Sequence, residues 1–388
     1  MTCNMNESGR GERIRTSGLY VPNVALYQAK LHPVMHSFIV KDSKTAAFLR
    51  YNLSITEAKD YLSNMWFKQL SFFRLDENFV IDTDKLTDVL AARPFQRCSG
   101  LDWFSEGWVS PASHLDSPLF SQRGYAMLSL RREDKVLPAG VIRDHLDSKI
   151  SQIENQELRK VGRKEKLALK EQITDDLLPR AFTRSSRTTA YIDRQRGWLM
   201  VDSGTASKAE NLVSQLREAL PPFPAALPRT ALSPHAAMTD WLASGEAPAG
   251  FELDAECELK DGSENGAVVR CTRIDLTAEE IRQHIATGKQ VTRIGLIWRE
   301  RIRFVLTDQL QLKRLQFLDV LQEEASQAGD DMASLFEATF LLMAEELGEL
   351  VDELIAALGG LEDSQRAANP ATTAASTASD SSTDVPWD

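Results

Sequence analysis

The sequence is poor in cysteine, histidine and long apolar runs, and each shortage removes a class of protein. Four cysteines stand in 388 residues, Cys3, Cys98, Cys257 and Cys271, and none forms a Cys-x-x-Cys pair. That spacing suits neither a zinc site nor a disulfide framework, and reduced structural thiols accord with a cytoplasmic chain. The six histidines (His32, His36, His114, His145, His235 and His284) make no His-Glu-x-x-His pattern, which speaks against a metal hydrolase. No apolar run approaches the roughly 18 residues that span a bilayer. The N-terminus lacks the basic-then-apolar layout of a secretory signal. Gly288-Lys289 has neither the upstream glycine nor the Ser/Thr of a phosphate-cradling loop, and no Gly-x-Ser-x-Gly elbow presents a nucleophile. The sequence therefore predicts no metal, no cofactor and no catalytic residue.

Net charge is −11, which sets an acidic chain against polyanionic partners. The distribution of that charge matters more than its sum. Residues 315–388 hold sixteen Asp/Glu and a single basic residue, Arg366. Residues 1–64 hold eight Lys/Arg against five Asp/Glu, which leaves residues 65–314 at about neutrality. A neutral middle can carry a basic face.

Six segments follow from composition and periodicity. Residues 1–64 show no sustained period. Their stretch Glu12-Arg13-Ile14-Arg15-Thr16-Ser17 back-translates to the complement of a transfer RNA T-arm, and Leu26 to Pro33 to that of a D-arm. The expectation is a start codon placed too far upstream of Met65, with a disordered, lineage-specific arm as the alternative. Residues 65–140 read as a first α/β unit: an aromatic-rich strand from Met65 to Leu75, a helix over Thr83–Ala92, a loop from Phe95 to Pro111 and a strand over Gly124–Arg131. Residues 141–187 read as one long helix, Val141 to Leu178, and a loop. Unbroken, that helix would run about 57 Å, with Gly162 as a possible kink and Pro179 as its stop.

Residues 188–314 read as a second α/β region. Its strands are expected at Thr188–Asp193, Trp198–Asp202, Ala267–Arg273, Thr292–Arg299 and Ile302–Leu306. A helix is expected over Ser207–Ala219, and Thr277-Ala278-Glu279-Glu280 resembles a capping box opening another. Residues 315–360 form an acidic region with an amphipathic helix over Leu335–Leu358, ended by Gly359-Gly360. Residues 361–388, rich in Ala, Ser, Thr and Asp, read as a disordered tail. The fold class is α+β: small sheet-and-helix units joined by a long helix.

The strongest chemical signal is basic. Arg159, Lys160, Arg163, Lys164, Lys166 and Lys170 crowd twelve residues against Glu165 alone. On one helix, 159, 163, 166 and 170 would share a face. Arg180, Arg184 and Arg187 follow in a Ser/Thr-rich stretch. A second group, Arg270, Arg273, Lys289, Arg293, Arg299, Arg301 and Arg303, falls on later strands and turns. In a continuous strand register, Arg299, Arg301 and Arg303 would line one surface. Such densities bind phosphates as point charges and bidentate forks. No recognition helix or zinc finger accompanies them, so base readout is not indicated. Asp254, Glu258 and Lys260 compose the one arrangement reminiscent of a magnesium-dependent nuclease, with a solvated strand edge as the bland reading. A third reading has the acidic helix docking a basic protein.

Several short motifs occur in order. They are Met65-Trp66-Phe67-Lys68, Gly107-Trp108-Val109-Ser110-Pro111, Leu137-Pro138 and Leu177-Leu178-Pro179-Arg180-Ala181-Phe182. Gly288-Lys289, Trp298, Leu312-Lys313-Arg314-Leu315 and Leu358-Gly359-Gly360 continue the series. Over residues 65–360 the chain resembles the recombination-associated RdgC family. The resemblance implies a cytoplasmic, nucleoid-associated protein with a horseshoe-like protomer that closes into a ring homodimer. Its positively lined hole would take double-stranded DNA without sequence preference, and occupying that DNA would restrain a RecA-type recombinase. In that setting Phe182, between Arg180 and Arg184, is expected to be exposed and to anchor the dimer interface. Some members of the family carry an exonuclease label, for which this sequence offers no catalytic constellation.

Overall fold

The computed structural model describes residues 65–76, 79–263, 266–327 and 331–362. The expectations for residues 1–64 and 363–388 lie outside the described residues.

In chain order the first region holds β1 (Ser71–Leu75), α1 (Thr83–Ala91), β2 (Phe104–Val109), β3 (Leu119–Gln122), β4 (Tyr125–Val136), α2 (Ala139–Glu157) and α3 (Arg163–Leu177). After a 3₁₀ turn, Leu178–Arg180, come β5 (Phe182–Asp193), β6 (Trp198–Val201), α4 (Ala206–Ala219) and β7 (Ala225–Ala226). The rest comprises α5 (Pro234–Ser244), β8 (Phe251–Asp261), β9 (Val268–Thr272), α6 (Glu279–Ala286), β10 (Lys289–Trp298), β11 (Ile302–Thr307), β12 (Leu312–Phe317), α7 (Asp319–Gln327) and α8 (Met332–Ala357). The α+β expectation holds, with eight α-helices among the described residues and two antiparallel sheets. One sheet has seven strands, ordered β2-β4-β5-β6-β1-β7 with β3 also on β4; the other has five, ordered β12-β11-β10-β8-β9.

Strand periodicity explains how the seven-stranded sheet is covered on both faces. Alternate residues point to opposite faces. Ala126, Leu128, Ala190, Ile192, Leu199 and Val201 join one core with Leu86 and Leu90 of α1 and Leu212, Val213 and Leu216 of α4. Tyr125, Met127, Tyr191, Trp198 and Met200 face the other way, into a core shared with the five-stranded sheet and α8.

Helix α8 lies at the centre of that shared core. Twelve of its residues are buried, including Phe336, Phe340, Leu347 and Val351. Phe340 meets Tyr125 and Tyr191 of the first sheet edge-on. Trp198 Nε1 of that sheet donates to Asp352 Oδ1 at 2.9 Å, and Trp298 Nε1 of the second sheet donates to Glu353 Oε2 at 2.7 Å. Adjacent carboxylates on one helix thus each take an indole from a different sheet. The expected amphipathic closing helix is present as Met332–Ala357, its buried stripe turned into this core and its acids on the other side. Gly359 and Gly360, at φ 83° and 85°, end it as expected.

Other expectations need correction. The strand read over Met65–Leu75 begins only at Ser71, because Trp66 and Leu70 are drawn to the second sheet. The Trp66 ring packs on Phe317 at 4.4 Å, and Leu70 bridges Leu312. The loop read over Phe95–Pro111 contains β2, paired with β4 from Phe104↔Asp134 to Val109↔Ser129. Gly107 permits this packing: a Cβ there would stand 2.5 Å from the Phe95 Cα, so only glycine lets the Pro94–Phe95 segment cross. At residue 277 the capping box is absent. Ala278 is the N-cap of α6, and Asp275 accepts from the Thr277 amide and hydroxyl.

The single long helix is two. Leu158 sits in the left-handed region at φ 54° and ends α2; Gly162 precedes α3. The apolar phase shifts between the two halves, so one straight helix could not keep both stripes on one side. Val161, 6% exposed, fills the corner between them, and its amide donates to Glu154. Of α2 only Ile142 is buried, and α3 buries nothing.

Candidate nucleic-acid interface

The break between α2 and α3 changes the basic run. Arg159 lies in the connection and not on a helical face. Its guanidinium donates to Glu157 Oε2 at 2.6 Å and to both oxygens of Glu165 at 2.6 and 2.7 Å. Those two carboxylates, Glu165 first, raise the Arg159 pKa further, and Arg159 in turn lowers that of Glu165. Arg159 therefore acts as a staple across the corner. Lys160, Arg163, Lys164, Lys166 and Lys170 are exposed, and none has an ion-pair partner among the described residues. Arg163, Lys166 and Lys170 share one face of α3, with Lys164 beside it.

Past the 3₁₀ turn, Arg180, Phe182 and Arg184 are also exposed. The Ser/Thr-rich loop read from sequence is a strand: β4 and β5 pair over twelve positions, from Tyr125↔Asp193 to Val136↔Phe182. Phe182 is 88% exposed and Val136 45%, so an apolar pair caps the end of this ribbon. Arg184 stands opposite Asp134, but the Asp134 carboxylate accepts from Arg132 at 2.9 Å.

The second basic group has a different fate. Arg299 and Arg301 lie in the β10–β11 turn and reach α8, where Arg299 pairs with Glu349 and Glu353 and Arg301 with Glu346; Arg301 also pairs with Glu324 of α7. Arg303 pairs with Asp254, Arg314 with Glu256, and Arg270 and Arg293 with Glu258. The surface expected from Arg299, Arg301 and Arg303 is thus neutralised from within. Arg273 alone of the two sequence candidates here, Arg270 and Arg273, is exposed without an ion pair among the described residues. The same pairs account for much of the acidity of α8, which weakens the reading of that helix as a dock for a basic protein.

Asp254, Glu258 and Lys260 lie on β8, an interior strand of its sheet, so the expected solvated edge is corrected. Burial tends to raise the pKa of Glu258, but Arg270, Arg293 and Thr292 outweigh it and hold the carboxylate below its usual range. Magnesium needs converging carboxylates with free oxygens. Glu258 and Asp254 are engaged by arginines instead, and no group of three metal-ligating side chains forms among the described residues. The donor set does not fit a magnesium site.

Comparison with known proteins gives a consistent picture. A family profile described as "Putative exonuclease, RdgC" matches residues 65–361. The recombination-associated protein RdgC of Laribacter hongkongensis is 61% identical over 297 residues, 76% of this chain and 99% of that protein. That of Neisseria gonorrhoeae (strain NCCP11945) is 52% identical over 299 residues, covering 77% and 100%. That of Dechloromonas aromatica is 41% identical over 300 residues, covering 76% and 98%. Among the described residues no helix is long and apolar enough to cross a membrane.

Proposed function

The chain belongs to the RdgC family of recombination-associated proteins, and from that premise we propose that it binds double-stranded DNA without reading sequence and without cutting it. The observation that carries the reading is the contrast between its two basic groups. Of the second group, Arg270, Arg293, Arg299, Arg301 and Arg303 are held in ion pairs and Arg273 is not, among the described residues. Arg163, Lys164, Lys166 and Lys170 of α3, with Lys160, Arg180 and Arg184 nearby, are exposed and lack ion partners among the described residues. Free cations release condensed counterions when they meet phosphates, whereas paired ones must first give up a carboxylate. A helix that buries nothing in its own protein is also free to lie against a partner.

The reading extends to assembly. Two horseshoe-like protomers close into a ring homodimer around the duplex, with Phe182 as an apolar anchor at the tip of the β4–β5 ribbon. Such a clasp acts in DNA recombination at the nucleoid, restraining a RecA-type recombinase by occupying its substrate. Nuclease activity is the alternative, and the engagement of Asp254 and Glu258 by arginines supports binding over cleavage.

The test is a titration of the protein into two unrelated fluorescent duplexes across several salt concentrations, without magnesium. Equal affinities are expected, with log K falling against log salt at about −0.9 per phosphate contact, near −5 for about six contacts. No binding at low salt, or strong preference for one duplex, would overturn the reading. Loss of ends from linear DNA on adding magnesium would replace it with the nuclease.

A further inference from the structure

Two arginines that the sequence keeps apart are brought face to face by the β4–β5 register. Arg131 of β4 stands directly opposite Arg187 of β5, with the α2–α3 pair intervening in the chain. Like charges at directly opposed positions of an antiparallel pair repel and destabilise it. Neither guanidinium has an ion pair among the described residues. Arg187 keeps an exposed side, and partial burial, followed by the field of Arg131, lowers its pKa.

The protein holds this unfavourable pair in place with neutral contacts. The Arg131 guanidinium lies 4.5 Å from the Phe95 ring centroid, and its Nε donates to Ser185 Oγ at 2.8 Å. Arg187 donates from one terminal nitrogen to the Pro111 carbonyl at 3.3 Å. Gly107, the register neighbour of Arg131 on β2, is what allows Phe95 to sit there. Each guanidinium so uses one of its roughly five N–H donors and keeps the rest. The nearby carboxylate, Glu133, accepts the Cys98 amide at 2.9 Å, and that bond is the main reason its pKa is lowered; Arg131 and Arg97 add smaller shares. Two arginines, Arg131 and Arg97, thus share one carboxylate already engaged by the Cys98 amide and the Thr183 side chain.

We propose that the Arg131–Arg187 pair is an oxyanion site that takes a phosphodiester of the DNA backbone, separate from the cations of α3. The proposal rests on the DNA-binding reading above. A phosphate has two free oxygens and one negative charge, enough to receive a fork from each arginine and to relieve their repulsion at once. Phe95 fixes the plane of one fork, and Ser185 its azimuth. This is sequence-independent recognition, since nothing in the site reaches a base edge.

The experiment uses the full chain and its Arg187→Gln variant, with Arg187→Lys as the charge-retaining control. In phosphate-free buffer, Arg187→Gln is expected to melt no lower than the parent, because it removes repulsion. Inorganic phosphate should raise the melting temperature of the parent, and of Arg187→Gln much less. On two unrelated duplexes the Gln variant should bind several-fold more weakly, equally for both, with a salt slope smaller by about one; Arg187→Lys should keep the slope. If the parent binds duplex and Arg187→Gln binds it with unchanged affinity and slope, this site is overturned while the wider reading stands. A lower melting temperature in phosphate-free buffer would overturn it too. If the parent binds no duplex, the wider reading has failed and this one falls with it.

Discussion

Removing the Glu353 carboxylate tests whether the acids of α8 belong to the core. Its Oε2 accepts the Trp298 indole N–H at 2.7 Å, and Oε1 accepts Arg299. Trp298 is fully buried at 0% exposure, so in Glu353→Ala its N–H is left without an acceptor. A buried donor stranded in this way costs about 1–3 kcal/mol. The lost pair with Arg299 adds little, about 0–1 kcal/mol, because that guanidinium is half exposed and retains Glu349. A total of about 1–4 kcal/mol corresponds, at about 2–4 °C per kcal/mol, to a fall of roughly 2–16 °C in melting temperature. Glu349→Ala is the matched control, since Glu349 meets Arg299 at the surface and no indole. Differential scanning calorimetry of the two variants decides the matter. Equal melting temperatures for Glu353→Ala and Glu349→Ala would refute the claim that α8 carboxylates are structural acceptors.

On the ring-dimer reading proposed above, Phe182→Ser should leave the protomer's stability within about 0.5 kcal/mol of the parent's, as exposed positions do, and lower the sedimenting mass from two chains to one; a parent that sediments as one chain, or a variant of unchanged mass, would remove Phe182 from that role. Asp202 offers a pH test. Burial raises its pKa despite two amide hydrogen bonds, from Lys68 and Gln69, at 3.1 Å each. A carboxyl whose folded pKa is raised binds its proton more tightly when folded, so it lowers stability at neutral pH and this loss is relieved as pH falls through the raised value. Urea titrations should show that relief in the parent and not in Asp202→Asn; identical pH profiles would contradict it.

The sequence carried the periodic part of the fold and little of its electrostatics. Alternation placed the strands at Trp198 and Ile302 well, because a two-residue period survives tertiary packing. Helical spacing likewise marked Thr83 and Ser207 to within a residue or so. The apolar phase shift around Leu158 was visible, but a left-handed leucine has no signature of its own, so two helices read as one. Phe104 and Trp108 looked like loop because their partner strand, β4, supplies the order. The largest gap concerns charge. Arg299 and Arg163 look alike in the chain, and only packing reveals that one meets Glu349 and Glu353 while the other meets solvent. Arg131 was passed over for the same reason: its opposition to Arg187 exists in a register, not in a spacing.

The most direct test of the account replaces Arg163, Lys164, Lys166 and Lys170 together by Gln and repeats the duplex titration across salt. These side chains sit on a helix with no buried residue, so the melting temperature should be unchanged. The account predicts that affinity falls equally for unrelated duplexes and that the salt slope shrinks by about 3 to 4, at roughly 0.9 per lost phosphate contact. A folded variant with the parent's affinity and slope would contradict the claim that the unpaired cations of α3 grip DNA.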